Sequence, residues 1–248
     1  MTIQDIRNPF GEDVFFINET ESTMKDAAAL DKWAHGTVVQ AGYQKSGRGR
    51  GLNRTWESAK GENLLFTICL DPDRINHPLM RIPLISGMAL AECLKETFDC
   101  KVSLKWPNDV LVSEKKVAGI LCEYRSGKLL LGVGVNCLQK SFPDEISNKT
   151  TSLVLEGAVH CSPAEILELY LQYLKDSLET EGWKEKALSF LYKLEETVLI
   201  SEGTPENETI VEIKIMGLSD EGFLIVKDVE QGRIRLISAG EIRFLPFR

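Results

Sequence analysis

The 248-residue sequence predicts an α+β fold in two parts, a large domain over 1–200 and a small β-barrel over 201–248. Three observations carry this. β-leaning apolar runs and helix-period stretches are interspersed along the first part. Ser162-Pro163 then opens a long helical stretch, and a second helix follows over 183–194. Beyond Ser201 the composition changes to short β-like runs (ETIVEIKIMGL, GFLIVKD, RIRLIS, EIRFL) with turn signals at Asp220-Glu221-Gly222 and Gln231-Gly232. That spacing is the one a small barrel shows. Ser201-Glu202-Gly203-Thr204-Pro205 is the natural hinge or loop between the parts.

The elements follow in order. Residues 13–18 (DVFFIN) read as a short strand, and Ser22 or Thr23 caps a helix running to about Trp33. Residues 37–43 (TVVQAGY) form a strand that runs into a glycine-rich segment at 47–51, and 63–70 (NLLFTICL) is a buried strand. From Pro83 to Phe98 the spacing of Leu84, Ile85, Met88, Leu90, Ala91 and Leu94 predicts an amphipathic helix. Strands follow around 101–106, 117–125 and 128–136, with Ser126-Gly127 as a tight turn between the last two.

Bulk properties narrow the function. Hydrophobic residues make up 43% and charged residues 27%, ordinary for a globular chain, and the net charge is −8. An acidic balance argues against a surface built to grip nucleic acid. Local clusters of positive charge then point to a small anionic ligand. The six cysteines (Cys69, Cys93, Cys100, Cys122, Cys137, Cys161) are scattered and read as reduced, buried thiols, and the isolated His35, His77 and His160 do not form a zinc pattern. The first ten residues hold no apolar signal region, and no run approaches a membrane span. The expectation is a soluble cytoplasmic protein.

Four segments carry chemistry. Lys45-Ser46-Gly47-Arg48-Gly49-Arg50-Gly51 alternates glycine, which permits close backbone approach, with arginine, which offers planar forks of donors to phosphate or carboxylate. Anion binding, a single RNA contact and a plain surface turn are the readings open to it. Lys105-Trp106-Pro107-Asn108-Asp109 ends a β-like run, and Pro107 turns Asn108 and Asp109 into a loop at the strand's carboxyl end. Lys115 to Glu123 puts a lysine before an apolar strand with an interior glycine, Gly119. Gly132-Val133-Gly134-Val135-Asn136 is a glycine-relaxed strand ending in an amide. Each is compatible with an ordinary turn or hairpin.

Their order and spacing are more specific. Glu21-Ser22-Thr23, Tyr43-Gln44 leading into the Gly-Arg loop, Lys105 to Asp109, Lys116 to Leu121 and Gly132 to Asn136 together resemble the biotin–protein ligase family, over about 13–137. The resemblance implies a catalytic domain like that of class II aminoacyl-tRNA synthetases, a mixed sheet backed by helices, followed by an SH3-like barrel. It implies an ATP-dependent ligase that forms biotinyl-5'-AMP, with Mg²⁺ on the phosphates, and passes biotin to a lysine of a biotin carboxyl carrier protein domain of a carboxylase. Nucleic acid and membrane partners are not implied, and the enzyme would be a monomer or homodimer. The chain begins almost at this domain, so a form without the N-terminal DNA-binding domain is expected.

Site residues carry over one by one. Ser22, Thr23, Met24, Gln44 and Trp106 would hold biotin, with Arg48, Gly49 and Arg50 closing over its carboxylate and the phosphates. Lys116 would stand between that carboxylate and the α-phosphate, with Gly119 leaving room beside the ligand. Arg54, Trp56, Asn108, Asp109, Asn136 and Arg243 would serve ATP, and Asp109 the metal. Lys116, Arg48 and Arg50 would be the catalytic cations. The stretch Gly51 to Thr55 is one residue longer than in common members, so Asn53 and Arg54 share the claim to the phosphate. The rivals are a lipoate–protein ligase or octanoyl transferase, a non-catalytic ligand sensor, and an RNA-binding protein.

Overall fold

The computed structural model describes residues 1–49, 55–158, 162–202, 209–238 and 243–245. The chain divides into two compact units, Met1–Glu181 and Gly182–Arg248. The compositional boundary near 200 falls inside a strand of the second.

In the first unit, eight strands of the described residues form one sheet in the order β1-β2-β3-β6-β10-β9-β8-β7. These are β1 (Thr2–Gln4), β2 (Val14–Ile17), β3 (Thr37–Ala41), β6 (Asn63–Leu70), β7 (Val102–Lys105), β8 (Asp109–Val112), β9 (Lys115–Arg125) and β10 (Lys128–Asn136). β2 and β3 run parallel and the other neighbours antiparallel, so the sheet is mixed. β4 (Gly47–Arg48) and β5 (Thr55–Trp56) form a separate two-stranded ribbon.

Consecutive residues of a strand face opposite sides of a sheet, and β6 shows what each side meets. Phe66 packs edge-on against Tyr170 of α4 (Pro163–Glu179), ring centroids 5.4 Å apart. The next residue, Thr67, is hydrogen-bonded to Thr23 at 2.9 Å, in the helix α1 (Thr23–Ala28). One face is therefore sealed by α4 and by α2 (Ile82–Phe98), whose Ser86 meets the Tyr170 hydroxyl at 2.8 Å. The other face carries the short helix α1 and is left partly open.

Local sequence chemistry accounts for most elements. Every residue of β6 is buried, as its apolar run requires. At the start of α4 the Ser162 hydroxyl accepts from the Glu165 amide, the N-cap geometry expected there. Ser126 and Gly127 both take positive φ (52° and 74°), which lets β9 turn directly into β10. Three expectations change. The first helix stops at Ala28, because Leu30 and Trp33 fold into the cluster beneath it instead of continuing it. α2 buries residues around most of its girth, since it lies between the sheet and α4. A four-residue strand, β8, intervenes after the Trp-Pro-Asn turn, too short for periodicity to reveal.

The cysteines expected as reduced, buried thiols are free where described: Cys69, Cys93 and Cys137 are buried, Cys100 and Cys122 only partly so, and Cys161 lies outside the described residues. Burial pushes the Cys93 and Cys122 thiols up to about 12.

The second unit holds α5 (Trp183–Phe190) and a five-stranded antiparallel sheet in the order β14-β13-β12-β11-β15. Its strands are β11 (Thr197–Glu202), β12 (Thr209–Leu218), β13 (Leu224–Asp228), β14 (Ile234–Ile237) and β15 (Arg243–Leu245).

Candidate active site

The open face of the large sheet has a floor from which side chains are missing. Antiparallel pairing aligns Leu65, Gly134, Gly119 and Asp109 in one row across four strands, and Thr67, Gly132 and Leu121 in the next. Two large side chains occupy the space thus opened. A Cβ on Gly134 would stand 2.7 Å from Trp56 Cε2, and one on Gly119 would stand 3.0 Å from Trp56 Cζ3. A Cβ on Gly132 would stand 3.0 Å from Met24 Sδ. The glycines are thus needed for close approach, and none of the three has positive φ. The room foreseen beside Gly119 is filled here by the Trp56 indole and the Lys116 side chain.

α1 forms one wall of a cleft over this floor. The Thr23 amide and hydroxyl both donate to Gln44 Oε1, at 2.7 and 3.1 Å. That pair of donors fixes the orientation of the Gln44 amide, leaving Nε2 as its donor half. Ser22 is buried at the head of the helix and its hydroxyl caps nothing. Ser22, Thr23, Met24 and Gln44 all line the cleft, and so do Arg48 and Gly49 from β4 and the residue after it.

Lys116 stands at the edge of the cleft. Its Nζ is 2.7 Å from Asp109 Oδ1 and 5.6 Å from the centroid of the Trp56 ring. The pairing of β9 with β10 ends at Ala118, and beyond it Lys116, still opposite Leu111 of β8, bridges in parallel to Thr150. The Lys116 amide donates to Lys149 O, and Thr151 N donates to Lys116 O. Lys116 and Trp56 also line a second cavity, with Asn136, Phe142, Ile146 and Thr150. The two residues thus form a shared partition.

Asn136 is buried at the end of β10, donating to Thr151 O at 3.0 Å and accepting from Asn63 Nδ2 at 3.1 Å. Asn63 also accepts from the Ala59 amide and donates to Gln139, tying the stretch after Trp56 to the strand end. Asn108 lines the cleft itself, and its Nδ2 donates to Ile120 O at 2.8 Å, a clamp between the turn and β9. Arg48 is mostly exposed, its Nη1 3.9 Å from Glu123 Oε1. Just outside, Glu19 pairs with Lys60 and Lys45 at 2.8 and 2.9 Å, which holds its carboxyl down to about 2.

Not every expected residue converges here. Trp106 is 4% exposed in the turn between β7 and β8 and is not among the residues lining the cleft. Arg50, Asn53 and Arg54 lie outside the described residues, and so does the side chain of Arg243, which begins β15. Conversely, Thr67, Asn63 and Gln139 escaped the sequence reading. The hint at Thr67 was a lone hydroxyl inside an apolar strand.

Residues 14–139 match the sequence model of the biotin/lipoate A/B protein ligase family. The chain is 30% identical over 243 residues to the biotin–[acetyl-CoA-carboxylase] ligase of Paracoccus denitrificans, covering 91% of this chain and 98% of that protein. It is 27% identical over 248 residues to the bifunctional ligase/repressor BirA of Bacillus subtilis, covering 92% and 73%. Among solved structures it resembles the biotin protein ligase from Aquifex aeolicus in complex with biotin and ATP, at 31% identity and a TM-score of 0.81, covering 94% and 98%. It also resembles the Leishmania major biotin protein ligase with biotinyl-5-AMP, at 25% identity and a TM-score of 0.65, covering 91% and 98%.

Proposed function

Because the chain belongs to the biotin/lipoate A/B protein ligase family, we propose that it joins biotin to ATP as biotinyl-5'-AMP and transfers biotin to a lysine of a carboxylase's biotin carboxyl carrier domain. The observation that carries this reading is the partition: Lys116 and Trp56 border two cavities at once. A two-substrate adenylation needs such an arrangement, with a cation where an acid and a phosphate meet.

The reaction asks a carboxylate to attack the α-phosphorus of ATP, and both partners are anionic. Two unit charges about 4 Å apart repel by ~4 kcal/mol at an effective dielectric of ~20. Lys116 answers this repulsion, with Arg48 and Arg50 from the glycine-rich loop. The carboxylate oxygen bonds to the α-phosphorus as pyrophosphate leaves. A neutral acceptor amine then attacks the acyl carbon, and AMP departs. No covalent enzyme intermediate is required, so catalysis is positioning and electrostatics.

The remaining roles follow the two cavities. Ser22, Thr23, Gln44 Nε2 and Met24, which itself fills the space over Gly132, hold the biotin rings, Gly49 closes beside the carboxylate, and Trp106 acts by packing behind the hairpin turn. Trp56 and Asn136 face the nucleotide, with Arg54 and Arg243 as further phosphate or base contacts. Asn108 acts through Ile120, by holding β9 in place.

Magnesium usually binds through one or two carboxylates plus substrate phosphates. Among the described residues no cluster of carboxylates, histidines or cysteines could hold a metal by itself, so the cation would arrive with the phosphates, and Asp109, paired with Lys116 at 2.7 Å, would be the carboxylate to meet it. The chemistry that Mg²⁺ would supply there is neutralisation of phosphate charge.

The large mixed sheet fits a class II aminoacyl-tRNA synthetase-like catalytic domain, and the second unit fits an SH3-like domain, extending the two-domain reading of 1–200 and 201–248. A cytoplasmic enzyme, monomeric or homodimeric and without nucleic-acid partners, completes the proposal. No helix of the described residues is long and apolar enough to cross a membrane.

The test is ATP–pyrophosphate exchange with biotin, with lipoate and with neither, followed by transfer to a carrier domain. Exchange that requires biotin supports the reading. Exchange that prefers lipoate or octanoate overturns it in favour of the family's other branch, and no exchange despite biotin binding leaves a sensor.

A further inference from the structure

α1 is six residues long, and an isolated helix of that length does not persist in water. Its position therefore depends on what grips its two ends. At the cleft end Thr23 is held by Gln44 and Thr67. At the far end stands a buried cation. Lys128, the first residue of β10, is 3% exposed. Its Nζ donates to the carbonyls of Ala27, Ala28 and Leu30 at 3.1, 3.3 and 2.7 Å. An ammonium has three donors, and all three are engaged. Ala27 and Ala28 belong to the last turn of α1, whose carbonyls a helix end leaves without an intrahelical partner, and Leu30 lies just beyond it. The Trp33 ring lies against the same ammonium, its centroid 5.3 Å away, and Cys69 Sγ donates to Ala27 O at 3.8 Å.

The strand that begins with Lys128 also supplies the floor. Further along β10, Gly132 receives Met24 of α1. One strand thus fixes the helix from behind and underlies it in front. We propose that Lys128 is a positioning residue for biotin: it sets how far α1 stands from the glycine floor, and hence the affinity for biotin, without touching substrate. The inference rests on the reading that Ser22, Thr23 and Gln44 hold biotin. The second cavity draws on Lys116, Asn136 and Thr150 and on no residue of α1. The effect of Lys128 is accordingly confined to one substrate.

The experiment titrates biotin by calorimetry into the full chain and measures the KM for ATP by pyrophosphate exchange, in the wild type, Lys128→Met, Lys128→Arg and Lys128→Gln. A misplacement of about 1 Å by a remote mutation can cost about 10²-fold in rate, and Lys128→Met, which moves α1 and not the reacting groups, is expected to weaken biotin binding by less than that, about tenfold. The KM for ATP stays near the wild-type value, and Lys128→Arg restores part of the loss because it returns a cation with several donors. Should Lys128→Met fail to fold, Lys128→Gln, which keeps two amide donors, gives the same comparison. Unchanged biotin affinity overturns the inference. So does a parallel loss for biotin and ATP with a lower melting temperature, the mark of a packing role alone. A wild type that binds biotin but does not exchange pyrophosphate strikes the enzyme reading and spares this one. A wild type that binds no biotin overturns both.

Discussion

A Cβ on Gly134 would stand 2.7 Å from Cε2 of Trp56, so the absence of a side chain at 134 is the condition for the indole's seat between the two cavities. Gly134 does not have positive φ, and alanine is tolerated there by the backbone alone. Overpacking of this kind costs about 1–3 kcal/mol. Gly134→Ala is therefore expected to displace Trp56, lowering kcat/KM for biotin-dependent exchange about tenfold or more while the protein still melts cooperatively. Exchange kinetics beside a thermal melt decide it. Wild-type kinetics would mean that the indole's seat has no part in the reaction.

Lys116 and Asp109 form a half-buried pair at 2.7 Å. Losing one group that stabilises developing charge costs about 10²–10³ in kcat, and Lys116→Met should lose adenylate formation on that scale. Asp109→Asn keeps the cation and so should lose less. Single-turnover formation of biotinyl-5'-AMP measures both. A larger defect in Asp109→Asn would reassign the principal role to the carboxylate.

Arg48 presents a different balance. Its contact with Glu123 is long, at 3.9 Å, and solvent-exposed, and pairs of that kind contribute little to stability. Arg48→Ala should leave the melting temperature unchanged and increase escape of the adenylate into solution. Chromatography of the released adenylate reads this directly. Leakage equal to the wild type would contradict a closing role for the loop.

Glu19 offers a pH readout. Hydrogen bonds from Lys60 and then Lys45 hold its carboxyl down to about 2, below the ordinary 4.5. A carboxylate whose pKa is lower in the folded state contributes stability above its unfolded value. That contribution is full above pH 4.5 and fades as pH falls toward 2. Carboxyl NMR should show Glu19 titrating near 2, and Lys60→Ala should return it toward the ordinary range. A wild-type midpoint near 4.5 would mean that these ion pairs do not persist in solution.

Burial pushes the Cys93 and Cys122 thiols up to about 12, so both are protonated at neutral pH. The thiolate is the reactive form. Native protein should react with thiol reagents at these two positions only after denaturant is added, as peptide mapping of labelled protein would show. Rapid native labelling of either would place it in a frequently opened region.

Much of the site was legible because its residues are locally unusual. Glycines interrupt apolar strands at 119, 132 and 134, and cations cluster in an acidic chain at 45–50. These marks survive without knowledge of the fold, since glycine and arginine are costly where nothing requires them. α2, β6 and β10 were legible for a similar reason: long apolar runs report burial directly. β8 was not, because four residues carry too little periodicity.

By itself, then, the sequence determined the long strands and helices, which segments lack side chains, and which family they resemble, but not short elements such as β1 and β8. Tertiary structure alone decided which of them meet. Thr23 with Thr67, Asn63 with Asn136, and Lys128 with the end of α1 are contacts between residues far apart along the chain. They depend on strand register, and a shift of one residue would turn each of these side chains to the opposite face. Lys128 shows the difference most plainly. The sequence marks it only as the first residue after a Ser-Gly turn, and it is the short helix overhead, whose end offers carbonyls to it, that makes a buried ammonium stable there.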